Sequence, residues 1–207
     1  MKVIPISVGT FQVNCYLAVS KNHEALVIDP GEDAGIIAVT LRQNKLTVAA
    51  YLITHGHMDH VSGLAEMTRT FPAPVSIHPL DESWAFSHLN QSLPYYDSPE
   101  RPKHIERLLA DGQTYEEAGL RYKIIATPGH SPGGVCFYFP DEKVLFSGDT
   151  LFLGTIGRTD LDGSDEKVMT KSLKRLTQLP DDTIVYPGHG PQTTIGQEKR
   201  SNPFMQF

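Results

Sequence analysis

Thr54-His55-Gly56-His57-Met58-Asp59-His60 places three imidazoles and one carboxylate within six residues, directly after the apolar run 48–53. Few arrangements other than a metal site use ligand atoms at that density. In an extended chain alternate side chains share a side, so His55 and His57 project together. Asp59 and His60 follow where a helix begins, and they turn toward a second position. The run before the motif is short and almost continuously apolar, the pattern of a buried strand.

Three later motifs repeat this syntax of strand, glycine and ligand-type residue. Thr127-Pro128-Gly129-His130 follows an apolar strand at 121–126, Ser147-Gly148-Asp149-Thr150 a strand at 143–146, and Tyr186-Pro187-Gly188-His189-Gly190 a strand at 183–186. Strand ends at one sheet edge position side chains accurately, and a glycine lets the backbone turn tightly beside a bound group. The donor set is then His55, His57, Asp59, His60, His130, Asp149 and His189. It exceeds the three or four ligands of a single tetrahedral zinc and suits two metals sharing a carboxylate. Nitrogen and oxygen donors without sulfur suit zinc, iron or manganese and do not choose among them. Asp29 also ends a strand, but Asp29-Pro30-Gly31 is ordinary turn chemistry, so a structural or ligand-orienting role is expected. His23, His78, His88 and His104 read as turn or surface residues, and Asp160, Asp162 and Asp165 as a solvated loop and a helix start.

Composition narrows the classes. The 207 residues are 40% hydrophobic and 20% charged with a net charge of −6, which suits one large globular domain over 1–207. An acidic chain has no global attraction for nucleic acid, and no run is apolar and long enough to span a membrane. The first residues lack a signal-peptide pattern, so a cytoplasmic location is expected. Cys15 and Cys136 lie in apolar segments and read as buried free thiols.

Strand patterns at 3–8, 12–19 and 25–28 predict a β-meander, followed by a helix over 33–44. A helix is expected over 61–71 and a short strand over 75–78. The proline-punctuated segment 79–110 reads as an irregular, partly helical insertion with a short helix over 105–110. Trp84, Tyr95 and Tyr96 are its candidates for walling a pocket. Strands at 121–126, 135–139 and 143–146 follow, then a helix over 164–179 capped by Ser164, a strand at 183–186 and a helix over 195–200. Two batches of strands, each followed by helices, predict two packed sheets with helices outside.

With these motifs together, the chain resembles the metallo-β-lactamase superfamily. The resemblance implies an αββα sandwich, two mixed β-sheets with helices on both outer faces and the site at one edge. Gly157-Arg158-Thr159-Asp160, with Thr193-Thr194-Ile195-Gly196 through Asn202-Pro203-Phe204, looks like the small glyoxalase II-like hydrolases. Carried over by motif, His55, His57 and His130 hold the first of two divalent metals; zinc comes first, with iron or manganese as alternatives. Asp59, His60 and His189 hold the second, which can be partly empty, and Asp149 bridges. The implied chemistry is attack of a metal-bound hydroxide on a thioester carbonyl, with Asp59 also orienting the hydroxide. Arg158 stands where relatives bind a glutathione carboxylate.

The implied partner is a small-molecule thioester, S-lactoylglutathione or a related acyl-glutathione, for a monomer or small homo-oligomer. Three family features are missing: an aromatic after the last Gly-His, a tyrosine after the bridging aspartate, and the C-terminal helical domain that grips glutathione. Thioester hydrolysis is therefore better supported than one particular glutathione ester. A mononuclear iron persulfide dioxygenase is the nearest alternative, followed by a lactonase. The bridging Asp149 argues against the main lactamase groups, and the acidic, compact chain against an RNA nuclease. All seven donors are present, which argues against a non-enzymatic binding module.

Overall fold

The alternation of side chains along the first strands decides how the layers stack. The structure, a computed structural model, describes residues 1–207. Strands β1 (Lys2–Val8), β2 (Val13–Val19) and β3 (Glu24–Ile28) form the antiparallel meander expected there. Along β2, Cys15, Leu17 and Val19 enter one core while Tyr16 and Ala18 enter another, as the period of two requires. Helix α1 (Ala34–Gln43) leads to β4 (Thr47–Leu52), which runs parallel to β3. The short helices α2 (Met58–Val61) and α3 (Leu64–Thr70) precede β5 (Val75–Ile77). Helix α4 (Pro79–Ala85) and β6 (Arg107–Leu108) complete a first sheet ordered β1-β2-β3-β4-β5-β6.

The second sheet begins with β7 (Thr114–Glu117), β8 (Leu120–Ala126), β9 (Val135–Phe139) and β10 (Val144–Gly148). A small hairpin follows, β11 (Leu151–Phe152) and β12 (Thr155–Ile156), then α5 (Glu166–Leu176). Strands β13 (Ile184–Pro187) and β14 (Thr193–Thr194) and helix α6 (Ile195–Ser201) end the chain with a 3-10 turn at Pro203–Met205. The order is β14-β13-β10-β9-β8-β7, parallel only between β10 and β13, so both sheets are mixed.

Three cores hold four layers. Between the sheets, Tyr16, Leu26 and Leu52 meet Tyr122, Phe137 and Phe146. Outside the first sheet, Leu17, Val27 and Tyr51 pack with Ile37, Leu64 and Met67 from α1 and α3. Outside the second, Cys136, Leu145 and Val185 pack with Met169, Leu173 and Leu176 of α5. Each such side chain stabilises the fold by roughly 1.5–3 kcal/mol on burial. The result is the αββα sandwich. Cys15 and Cys136 are free and buried in different outer cores.

Three local expectations change. The helix expected over 61–71 begins only at Leu64, separate from a short helix that ends at Val61, because Gly63 N–H donates to Gly31 O and bends the chain against the Asp29-Pro30-Gly31 turn. Residues 105–110 contain a strand and not a helix. The open edge of β5 captures them, with Leu109 N donating to Ile77 O at 2.8 Å and Val75 N to the Glu106 carboxylate at 2.8 Å. Helix α5 is capped by Asp165, whose Oδ1 accepts from Lys167 N (2.8 Å) and Val168 N (3.0 Å), whereas Ser164 Oγ donates back to Leu161 O. The short strands β7 and β14 carried no readable pattern. No helix is long and apolar enough to cross a membrane.

Candidate metal centre

The C-terminal ends of β4, β8, β10 and β13 lie along one edge of the sandwich. The chain leaving β4 carries His55 and His57, and the first turn of α2 presents Asp59 and His60. His130 lies in the β8–β9 connection, Asp149 directly after β10, and His189 two residues after β13. At Gly188 a Cβ would stand 2.2 Å from Asp149 Oδ1 and 2.7 Å from His60 Cε1, so this backbone must be bare to let the strand end approach the site. Gly148 has φ +47°, a left-handed conformation, and leaves room for Thr54.

All seven predicted donors converge. His55, His57 and His130 bring ligand atoms within 4.8 Å of one another, and Asp59, His60 and His189 do the same. The carboxylate of Asp149 lies between the trios. Its Oδ1 is 3.4 Å from His60 Nε2, and its Oδ2 is 3.6 Å from His130 Nε2 and 3.5 Å from His189 Nε2. His57 Nδ1 faces His130 Nε2 at 2.9 Å. His55 Nε2, His60 Nε2 and Asp149 Oδ1 are buried with no hydrogen-bond partner. Buried polar atoms are nearly always paired, so three orphans aimed into one space fit a pair of cations there.

In four of the five histidines the other ring nitrogen is committed. His60 Nδ1 donates to Asp29 Oδ2 at 3.0 Å, His130 Nδ1 to Arg158 O at 2.9 Å and His189 Nδ1 to Phe11 O at 3.1 Å. Thr54 Oγ1 donates to Asp29 Oδ2 at 2.6 Å and takes a bond from His55 Nδ1 at 3.0 Å. These contacts select the tautomer that turns Nε2 of His55, His60, His130 and His189 inward, whereas His57 presents Nδ1 to the site. Asp29 thus orients two of the histidines. It also groups geometrically with His55 and His60 as a possible third donor set, but Thr54 N, Thr54 Oγ1 and His60 Nδ1 already occupy its oxygens, which assigns it the orienting role.

Sequence reasoning missed Asp81 and Asn90. Fully buried Asp81 accepts from Gly56 N (2.9 Å), Ser131 Oγ (2.6 Å) and Gly133 N (2.6 Å), tying the His55–His57 loop to the His130 loop. Asn90 donates to Gly56 O and accepts from Met58 N. Both come from the irregular segment 79–110, where no local pattern marks them. The bland readings of the other histidines agree with their places. His23 sits in a left-handed turn, His78 caps α4, and His88 and His104 are exposed.

Electrostatics suit a cation. Burial, then the neighbouring His130, pushes His57 down to about 3, so its lone pair is free at neutral pH. Burial also drives His55 well below the usual histidine range. For Asp59, burial raises the pKa, but His60 and His189 outweigh it and leave the carboxyl at about 2. Burial opposes charge on His60 as well, yet Asp149, Asp59 and Asp29 together raise it to about 10. Without metal, a proton serves as the positive charge these carboxylates demand.

A cavity of about 380 Å³ lies over these donors, walled by Phe11, Phe152, Ile156 and Leu161. Arg158 lines its mouth, with its guanidinium bonded twice to Asp160; both side chains are 69% exposed. Trp84 stands 5.3 Å from the His57 ring, and buried Tyr96 lies 4.9 Å from Phe11 between ring centres. Tyr95 is exposed, with its ring 5.8 Å from that of Phe11.

Residues 8–189 match the metallo-beta-lactamase superfamily. The chain belongs to that superfamily. It is 34% identical over 212 residues to the hydroxyacylglutathione hydrolase GloC of Haemophilus influenzae, covering 99% of this chain and 97% of GloC. Among solved structures it is similar to BLEG-1, a B3 metallo-beta-lactamase, with TM-score 0.94, 37% identity and 100% of both chains covered. It is also similar to TTHA1623 in a di-iron-bound form, with TM-score 0.89, 39% identity and 97% and 99% covered. Superfamily membership and the donor set make the chain a metal-dependent hydrolase, with His and Asp donors in two clusters that could each hold a metal ion.

Proposed function

We propose that this chain hydrolyses thioesters of the hydroxyacylglutathione kind. The observation that carries the reading is Asp149, whose carboxylate lies between two complete three-residue donor sets. In this reading His55, His57 and His130 would hold one divalent ion and Asp59, His60 and His189 the other, with Asp149 placed to serve both. Zinc is the proposed occupant, with iron, as in TTHA1623, or manganese as alternatives. When bound, the ions supply Lewis acidity and lower the pKa of water into the neutral range.

The chain's own groups do the rest. Asp59 stays ionised down to about pH 2 and faces His189 Nε2 at 3.4 Å, which suits it to orient the attacking water. Phe11, Phe152 and Ile156 limit bulk water around the scissile carbonyl. Arg158 exchanges Asp160 for a substrate carboxylate; an exposed ion pair holds little stability and opens readily. No serine or cysteine nucleophile is needed, and Cys15 and Cys136 lie in the cores. Buried reduced thiols accord with the cytoplasm as the proposed compartment.

Metal analysis of purified protein, with rates on S-lactoylglutathione, a lactone, a β-lactam and glutathione persulfide, tests the reading. Two ions per chain and thioester cleavage without oxygen uptake are expected. The likeness to BLEG-1 puts the β-lactam in the panel. Lactam cleavage, or oxygen uptake with the persulfide, in the absence of thioester cleavage would overturn the assignment.

A further inference from the structure

Beyond His57 lies a second lobe of the cleft, about 470 Å³ against about 380 Å³ for the cavity over the metal donors. The two adjoin along His57, Met58 and Leu161, which line both. Their chemistry differs. The first has the Arg158 cation at its mouth. The second has no cation, and its one carboxylate is exposed Asp162. Its apolar surface is Trp84, Leu89 and Pro132 with the shared Met58 and Leu161, and Ser87 and Gln91 add neutral polar groups. Asn90 lines it too, but its amide is spent on Gly56 O, Ala85 O and Met58 N, so it offers little to a ligand.

A thioester has two arms, one on each side of its carbonyl, and a metal centre at the meeting of two lobes must receive them separately. We propose that the lobe beside Trp84 binds the acyl arm, and that the preferred acyl group is neutral, apolar and larger than lactoyl, an aromatic 2-hydroxyacyl group being the best fit. This deepens, and rests on, the thioesterase reading. The thiol arm of an acyl-glutathione carries carboxylates and goes toward Arg158. The remaining arm meets an indole face and aliphatic side chains, and Asp162 repels an anionic acyl group. The lobe is within the range of roughly 300–1,000 Å³ that buries drug-sized ligands. A lactoyl group would leave most of it to water and its apolar walls unused.

The test compares kcat/KM of the metal-loaded enzyme for S-lactoyl-, S-mandeloyl- and S-succinylglutathione. Mandeloyl should exceed lactoyl by about tenfold, the scale of burying an aromatic group, and succinyl should be the poorest. Trp84→Ala should reduce the mandeloyl-to-lactoyl ratio by about tenfold. Leu89→Asp, at a position 78% exposed and therefore harmless to folding, should reduce it in the same direction. Asp162→Asn should raise the succinyl rate severalfold. Thioester cleavage with a mandeloyl-to-lactoyl ratio unchanged in both lobe variants would overturn the acyl-lobe assignment and leave the hydrolase standing. Absence of cleavage for every thioester would overturn both.

Discussion

At the scale of single residues, the site is governed by atoms that do not face the metal space. Asp29 accepts from Thr54 N, Thr54 Oγ1 and His60 Nδ1, and through Thr54 it reaches His55. Asp29→Asn removes one acceptor oxygen and should weaken metal binding about 10–100-fold, as loss of an orienting partner does elsewhere. Competition titration with a chromogenic chelator measures this, and unchanged affinity would show that the histidines orient themselves. Arg158 makes a different kind of contribution. Arg158→Ala should raise KM for glutathione thioesters about tenfold and leave kcat within a factor of two or three, because a grip on a remote carboxylate is present equally in ground and transition states. A fall confined to kcat would place Arg158 in the chemistry. Thr54 to His60 was legible because its ligands are contiguous. Asp81 and Asn90 were not, because their contacts join segments distant along the chain.

Among the elements, the β11–β12 hairpin shows how a wall of the cleft is held in place. Glu198 of α6 is fully buried. It accepts from Thr193 Oγ1 (2.5 Å), Gly154 N (2.8 Å) and Asn202 Nδ2 (2.9 Å), and Asn202 also donates to Thr155 O. The Thr193-to-Phe204 stretch therefore clamps the hairpin that carries Phe152 and Ile156. Glu198→Ala strands several buried donors, each costing about 1–3 kcal/mol. A loss of about 2–4 kcal/mol in urea unfolding is expected, together with a raised KM as the wall loosens. Full stability in that variant would show that water satisfies the donors. Strands and long helices were legible at this scale because their periods of 2 and 3.6 are written locally. The strand at Arg107–Leu108 was not, because only the open edge of β5 makes it a strand. The break between α2 and α3 likewise depends on Gly31 arriving from another turn.

Across the whole molecule, the metal centre joins the two sheets. His55, His57, Asp59 and His60 follow a strand of the first, while His130, Asp149 and His189 follow strands of the second. Ions held between them should stabilise the sandwich by linkage, about 2.7 kcal/mol when free metal is a hundredfold above Kd. At about 2–4 °C per kcal/mol for a chain of this size, chelation should lower Tm by about 5–10 °C, and added zinc or iron should restore it. Calorimetry before and after chelator treatment reads this out. An unchanged Tm would mean that the donors do not close around metal.

Local chemistry along the chain determined the ligand types, their place at strand ends and the layered class of fold, because each depends on spacing that neighbouring residues carry by themselves. The seven donors could be named from four short motifs. The partition into two trios about one carboxylate was implied by the family resemblance and the orienting role of Asp29 was expected, but the distances behind both, the pinning of the loops by Asp81, and the division of the cleft into two lobes were decided only in three dimensions. Each of these depends on distances between segments far apart in the chain, and such distances exist only once the cores have brought the two sheets face to face.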